Sequence, residues 1–173
     1  MRRVFVSSTF RDMQVERDVL RKVASTLDAE ASGFGESVSF CDLRWGVDTL
    51  DLDGDSGAAK VLDVCLDMID SCRPYMIVLL GDRYGWIPDR SVVRSALRGR
   101  GGFGRRATSV TELEIEYGVL RHPEQLPQTL FYFREGNLAV FENDQEESAE
   151  QRRRLQSLKA RIVRAGGLML FSR

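Results

Sequence analysis

The run Tyr75-Met-Ile-Val-Leu-Leu80 restricts the possible folds of this chain more than any other stretch. It is long enough for a strand and too short for a typical helix. Its apolar character is unbroken rather than alternating, which marks a strand buried on both faces, as strands of a parallel sheet are. Gly81 stops it, and Asp82, Arg83, Tyr84, Gly85 and Trp86 follow at once. Ligands of open parallel sheets bind beyond the carboxyl ends of the strands. The polar and aromatic cluster is therefore expected to form one wall of a site.

The remaining segments fit the same plan. Val4-Phe5-Val6 begins as a strand and ends in Ser7-Ser8-Thr9, and Val15, Val19, Leu20, Val23 and Leu27 then recur at helical spacing. Val38-Ser39-Phe40-Cys41 is a second strand that delivers Asp42, Leu43, Arg44, Trp45 and Gly46. An acidic loop leads to a helix over 58–71 whose apolar residues nearly encircle it, as in a deeply buried helix. Residues 87–108 read as a long irregular segment. A helix follows over 110–120, with Val110, Leu113, Tyr117 and Leu120 on one face; then come a strand over 129–133, a charged helix over 148–165 and a strand over 168–171. This βαβαβαβαβ order predicts an α/β fold, a five-stranded parallel sheet with helices on both faces. No helix follows the last strand, and the expectation is one domain over 1–173 serving as the first module of a longer protein.

Composition narrows the function classes. A chain of 173 residues suits one domain, and 43% apolar with 29% charged residues is ordinary for a soluble protein. With 25 basic and 26 acidic residues the net charge is −1, so bulk electrostatics does not favour nucleic acid or an anionic membrane. No segment reads as a signal peptide or a bilayer span. Cys41, Cys65 and Cys72 are odd in number and sit in or beside apolar segments. They read as free thiols of a reducing compartment, and a cytoplasmic location is expected.

Several apparent motifs fail. Asp51-x-Asp53-x-Asp55 lacks the glycine and the bidentate glutamate of a calcium loop, because Ser56 and Leu62 stand there. The glycine-rich segment 99–104 neither follows a strand nor carries Gly-Lys-Ser/Thr, which excludes a phosphate-binding P-loop; it reads as a basic loop whose arginines could still close over a phosphate. His122 is solitary, so neither a histidine triad nor a metal cluster can be built.

What remains converges on one rim. Ser7, Ser8, Thr9, Arg11 and Asp12 follow the first strand, Asp42, Arg44 and Trp45 the second, and Asp82, Arg83, Tyr84 and Trp86 the third, while Glu112 and Glu114 open a helix. Arg11, Arg44 and Arg83 can fork onto a pyrophosphate, and Trp45, Tyr84 and Trp86 can stack on a ring. A salt bridge to a neighbouring aspartate is the plain alternative for each arginine, as a core anchor is for each tryptophan. Ser109-x-x-Glu112 is a capping-box pattern that gives Glu112 a local duty. Glu114 has none, and a carboxylate there could stabilise or attack an oxocarbenium-like carbon as a glycosidic bond breaks.

These residues also carry a resemblance. Arg3-Val-Phe-Val-Ser-Ser-Thr-Phe-Arg-Asp-Met13, Val15-Glu-Arg-Asp-x-Leu20, Asp42-Leu-Arg-Trp-Gly46, Leu80-Gly-Asp-Arg-Tyr-Gly-Trp86 and Ser109-Val-Thr-Glu-Leu-Glu114 are similar to motifs of one family. It is the TIR-like N-terminal domain of NACHT and WD-repeat proteins, including the telomerase-associated type, with relatives at the head of bacterial NLR-like anti-phage NTPases. The resemblance implies a flavodoxin-like sheet and an effector or signalling role in innate immunity or anti-phage defence. It also implies self-association and a downstream NTPase domain as partner. Many TIR domains cleave the nicotinamide–ribose bond of NAD with a helix-borne glutamate. Thr111-x-x-Glu114-Ile-x-Tyr-Gly118 also resembles the catalytic helix start of nucleoside deoxyribosyltransferases. Thr108 and Val110 depart from the pattern, standing where an aromatic or cysteine usually precedes the TIR glutamate.

The leading expectation is thus an NAD glycohydrolase, with NAD or a related nucleotide as substrate and neither cofactor nor metal. Glu114 is the catalytic candidate ahead of Glu112, Ser8 and Thr9 contact ribose or phosphate, and Trp86 or Tyr84 stacks on the ring. The alternative is a non-enzymatic homotypic interaction module.

Overall fold

Met76–Leu80 occupies the middle of a five-stranded parallel sheet and is buried along its whole length. The computed structural model describes residues 1–9, 11–42, 55–101, 107–134 and 147–172. The strands are β1 (Arg2–Ser8), β2 (Val38–Cys41), β3 (Met76–Leu80), β4 (Thr129–Arg134) and β5 (Leu168–Ser172), in the order β2-β1-β3-β4-β5. All neighbours pair in parallel, with Val6 opposite Ile77 and Val78 opposite Phe131. This is a flavodoxin-like arrangement: the alternation of apolar runs and helices predicts its parallel sheet, and the family resemblance implies its flavodoxin-like form.

The helices are α1 (Gln14–Ser32), α2 (Asp55–Cys72), α3 (Arg90–Ala96), α4 (Val110–Ile115) and α5 (Ala149–Ala165). Crossovers between parallel strands are right-handed. The step from β1 to β2 runs one way along the sheet and every later step runs the other way, so among the described helices α1 lies on one face and α2 to α5 on the other. Phe5, Val78, Leu80, Phe131 and Phe133 pack with residues of α2, α3, α4 and α5. Val6, Ile77 and Leu79 pack with Met13 and Leu20 at the start of α1. Alternate residues of β3 thus feed two cores, which is why its sequence shows no alternation.

Two helical segments differ from the sequence reading. Residues 87–108 are not irregular throughout, because they include α3. Its Val92, Val93 and Ala96, with Leu97 just after it, form a short buried stripe. Just past its end, Arg100 bonds to Asp63, 2.6 Å away, and pairs with Asp67, both on α2. In α1 the apolar stripe faces outward: Val15, Val19, Val23 and Leu27 are 64%, 54%, 42% and 40% exposed. The inner stripe runs through Met13, Arg17 and Leu20, and Arg17 is buried.

Helix α4 continues into a π-helical turn, Glu116–Leu120, and a 3-10 helix, Pro123–Gln128. Leu113 and Tyr117 are buried as the spacing predicts, but Thr111, Glu112, Glu114, Ile115 and Val119 are buried too. Gly118 permits this depth. A Cβ there would stand 2.7 Å from Met76 Sδ of β3. Helix α5 starts with a complete capping box between Ser148 and Gln151. The three cysteines are free thiols, as expected, with Cys65 and Cys72 buried.

Candidate functional site

From β1 the chain crosses to β2 on one side, and from β3 it proceeds to β4 on the other. The carboxyl ends of β1 and β3 therefore flank a topological switch point, where open α/β sheets bind ligands. The end of β1 supplies Ser7, Ser8 and Thr9, the end of β3 supplies the loop from Gly81, and α4 brings Glu112 and Glu114. The structure thus gathers three of the four predicted polar clusters. Asp42 joins them from β2, whereas Arg44 and Trp45 lie outside the described residues.

Ser7 and Ser8 point to opposite sides of the sheet, as adjacent strand residues must. The Ser7 hydroxyl donates to Glu114 Oε2 at 2.5 Å. The Ser8 hydroxyl accepts from Arg17 Nε, and another guanidinium nitrogen of Arg17 pairs with Asp42. Arg17 thus bridges the ends of β1 and β2 from inside α1. Thr9 Oγ1 donates to Asp12.

Glu114 is only 7% exposed. Burial pushes its carboxyl up to about 7 against the Ser7 hydrogen bond, the Arg17 charge and a hydrogen bond with the Cys65 thiol, while the Asp42 charge adds to the rise. A carboxyl balanced between its two forms near neutral pH, at a switch point, has the features of a functional group. Cys65 is itself pushed well above the ordinary thiol range by burial and by Glu114, so it stays a neutral thiol rather than a nucleophile.

Glu112 occupies a different environment. Its backbone amide is capped by the Ser109 hydroxyl at 3.2 Å, half of the predicted capping box. Its carboxylate does not return to Ser109 but accepts from Tyr84 Oη and pairs with Arg161 of α5. Arg161 also pairs with Glu116. Burial, followed by the Glu112 hydrogen bond, pushes the Tyr84 phenol up to about 12. Tyr84 is a 2% exposed core anchor, whereas Trp86 is 56% exposed.

The loop after β3 is held through its backbone. Asp12 Oδ2 accepts from the amides of Asp82 and Arg83 at 2.9 and 3.1 Å. Arg134, at the end of β4, ties Asp12, Glu16 and Asp82 together. Asp82 and Arg83 thus have a structural role in holding this loop, and Arg11 is an exposed residue just beyond the end of β1. Sequence reasoning passed over Arg17, Cys65 and Arg134. For Arg17 a signal existed: a charged residue on the stripe that also carries Met13 and Leu20.

Among the described residues no helix is long and apolar enough to cross a membrane, and no group of three or more His, Cys, Asp or Glu side chains is placed to hold a metal. The model of a domain of unknown function, DUF4062, matches residues 3–172. Telomerase protein component 1 of Rattus norvegicus is 34% identical over 142 residues, covering 77% of this chain and 5% of that protein. A TPR repeat-containing protein of Dictyostelium discoideum is 29% identical over 182 residues, covering 94% of this chain and 11% of that protein. The putative tetratricopeptide repeat protein 41 of Homo sapiens is 25% identical over 202 residues, covering 94% of this chain and 15% of that protein. The chain therefore spans a small fraction of the length of these relatives. No solved structure is significantly similar.

Proposed function

The chain belongs to the DUF4062 family, and from that premise we propose that it is a TIR-like effector or signalling domain that hydrolyses NAD or a related nucleotide. The observation that carries this reading is Glu114, buried at the switch point, bonded to Ser7 and held near a pKa of about 7 by its burial. Hydrolysis breaks the bond between ribose C1′ and the nicotinamide nitrogen. The nitrogen keeps the electron pair, nicotinamide leaves neutral, and water adds its oxygen to C1′ and releases a proton. Ionised Glu114 stabilises the positive charge that develops at C1′. Thr9 and the neighbouring Ser8 contact ribose or phosphate, and Trp86 stacks on a ring. Because Glu114 is nearly closed off from solvent, the rim must open for substrate. Assembly of a longer protein, with a downstream NTPase domain as partner, supplies that opening.

The test is NAD turnover by the assembled full-length protein, with Glu114→Gln and Glu112→Gln variants. Loss of at least about 100-fold in Glu114→Gln, a loss of the size seen when a group stabilising developing charge is removed, supports the reading. Absence of turnover by the assembled protein, or full activity of Glu114→Gln, refutes the assignment of Glu114.

A second reading has its own observation. The outward stripe Val15, Val19, Val23 and Leu27 is an apolar helix face of the kind that docks on another protein. On this reading the domain is a non-enzymatic homotypic module, and Glu114→Gln signals like wild type while Val19→Asp with Val23→Asp does not.

A further inference from the structure

The loop after β3 presents four consecutive backbone amides to carboxylates. Asp82 and Arg83 donate to Asp12. The next two amides donate to Glu147: Tyr84 N to Oε2 at 2.7 Å and Gly85 N to Oε1 at 2.9 Å. One carboxylate thus spans two adjacent amides, one oxygen on each. Two oxygens of a phosphate group present the same acceptors, and paired backbone amides at a turn are a recurrent anion cradle.

The local conformation makes the cradle. Gly85 has φ of +92°, which side-chain-bearing residues rarely adopt, and its Cα side faces Thr9 and Thr111 so closely that a Cβ would meet Thr9 Cγ2 at 3.0 Å. The pair therefore sits against the end of β1 and the start of α4, on the switch-point rim. On the α5 side Lys159 Nζ donates to the Gly81 carbonyl at 2.7 Å and Arg154 donates to the Ala107 carbonyl and hydrogen-bonds with Tyr84, while Arg161 is taken up by Glu112 and Glu116. Glu150 answers part of this charge by pairing with Arg154 at 2.9 Å and Arg153 at 3.2 Å.

Glu147 arrives from the residue immediately before the Ser148 cap of α5, and Arg152 holds its carbonyl at 2.7 Å. Its side chain therefore reaches the cradle from an anchored helix start. We propose that the Tyr84–Gly85 amide pair is a binding site for a phosphate group of a phosphorylated small molecule, and that Glu147 is its internal competitor, displaced when ligand binds. The site goes beyond the hydrolase reading, because binding there requires no turnover and no ionised Glu114.

Inorganic pyrophosphate is a suitable probe, titrated into the 173-residue chain while the Tyr84 and Gly85 amide resonances are followed by NMR. Glu147→Ala binds about tenfold tighter than wild type or better, the effect of removing one charged competitor for two hydrogen bonds. Glu147→Gln, a weaker competitor that keeps an acceptor, falls between them and covers the case in which the alanine variant does not fold. Adding Gly85→Ala to either variant abolishes the gain. Pyrophosphate also raises the melting temperature of the Glu147 variants more than that of wild type. Equal affinity in wild type and variants, shifts confined to other amides, or a Glu147 variant that melts earlier and is not rescued by pyrophosphate overturns the proposal and leaves Glu147 as a clamp. Glu114→Gln separates the two readings. It leaves pyrophosphate binding unchanged even where NAD turnover is lost, and an inactive Glu114→Gln enzyme with no amide response refutes the cradle alone.

Discussion

Replacing Glu114 by glutamine removes a group whose folded and unfolded protonation differ. In the fold, burial raises the carboxyl from 4.5 to about 7. Between those values the folded chain holds a proton that the unfolded chain has lost, so wild-type stability falls as pH rises from about 4.5 through about 7. At about 1.4 kcal/mol per pKa unit the full loss is ~3 kcal/mol. Glutamine is neutral throughout and its amide oxygen can still accept from Ser7. The variant should therefore match wild type within about 1 kcal/mol near pH 4.5 and exceed it by ~3 kcal/mol near pH 8.5. Urea unfolding of both proteins across this range measures the difference directly. A gap that stays constant with pH refutes the argument, since it would mean that Glu114 ionises in the fold as readily as in the unfolded chain.

Other substitutions test neighbouring contacts. Arg17→Met strands Asp42 and Ser8 and should cost about 3 kcal/mol, the lower end for breaking a buried pair; it should also move the Glu114 midpoint upward, read by the same pH series. Glu112→Gln weakens the contacts to Tyr84 and Arg161 and should cost about 1–3 kcal/mol in urea unfolding, because Arg161 keeps Glu116. Gly118→Ala places a methyl 2.7 Å from Met76 Sδ. Overpacking of this kind costs about 1–3 kcal/mol, measurable as a lower melting temperature.

The central strand was legible because a strand buried on both faces has one requirement, an unbroken apolar run, and the run 75–80 meets it to within one residue of the observed bounds, whereas Val38–Cys41, broken by Ser39 and half-buried at the sheet edge, was legible as a short apolar stretch alone. The stretch around Arg90–Ala96 was not, since one buried stripe of Val92, Val93, Ala96 and Leu97 is too short to stand out from the glycine- and arginine-rich sequence after it. The orientation of α1 was misleading for a different reason. Periodicity identifies a stripe but not what lies opposite, and the more apolar stripe faces solvent while the inner one contains Arg17. Only the strand ends explain that choice, because Ser8 and Asp42 give the guanidinium partners that an apolar side chain could not satisfy. Glu114 was separated from Glu112 by the capping pattern, and the two carboxylates do have different partners. Its link to Ser7 spans 107 positions, and no local pattern encodes that distance.

The geometry of α1 connects the two functional readings. Arg17 on its inner face acts on Glu114 and Asp42, while Val15 and Val19 on its outer face meet solvent. A helix moves as a unit, so a partner that docks on the stripe and shifts α1 also shifts Arg17 and changes the field at Glu114. On the proposed function, docking and chemistry would then be sequential rather than alternative. Val19→Asp with Val23→Asp should leave the isolated chain within about 0.5 kcal/mol of wild type, as expected for exposed positions, and leave its Glu114 pH signature intact. In the full-length protein the same pair should abolish both assembly and turnover, whereas Glu114→Gln should abolish turnover alone. Retained turnover in the stripe variant breaks the link between docking and chemistry. Loss of the pH signature in the isolated chain would instead place the effect in the fold of α1 rather than in contact with a partner.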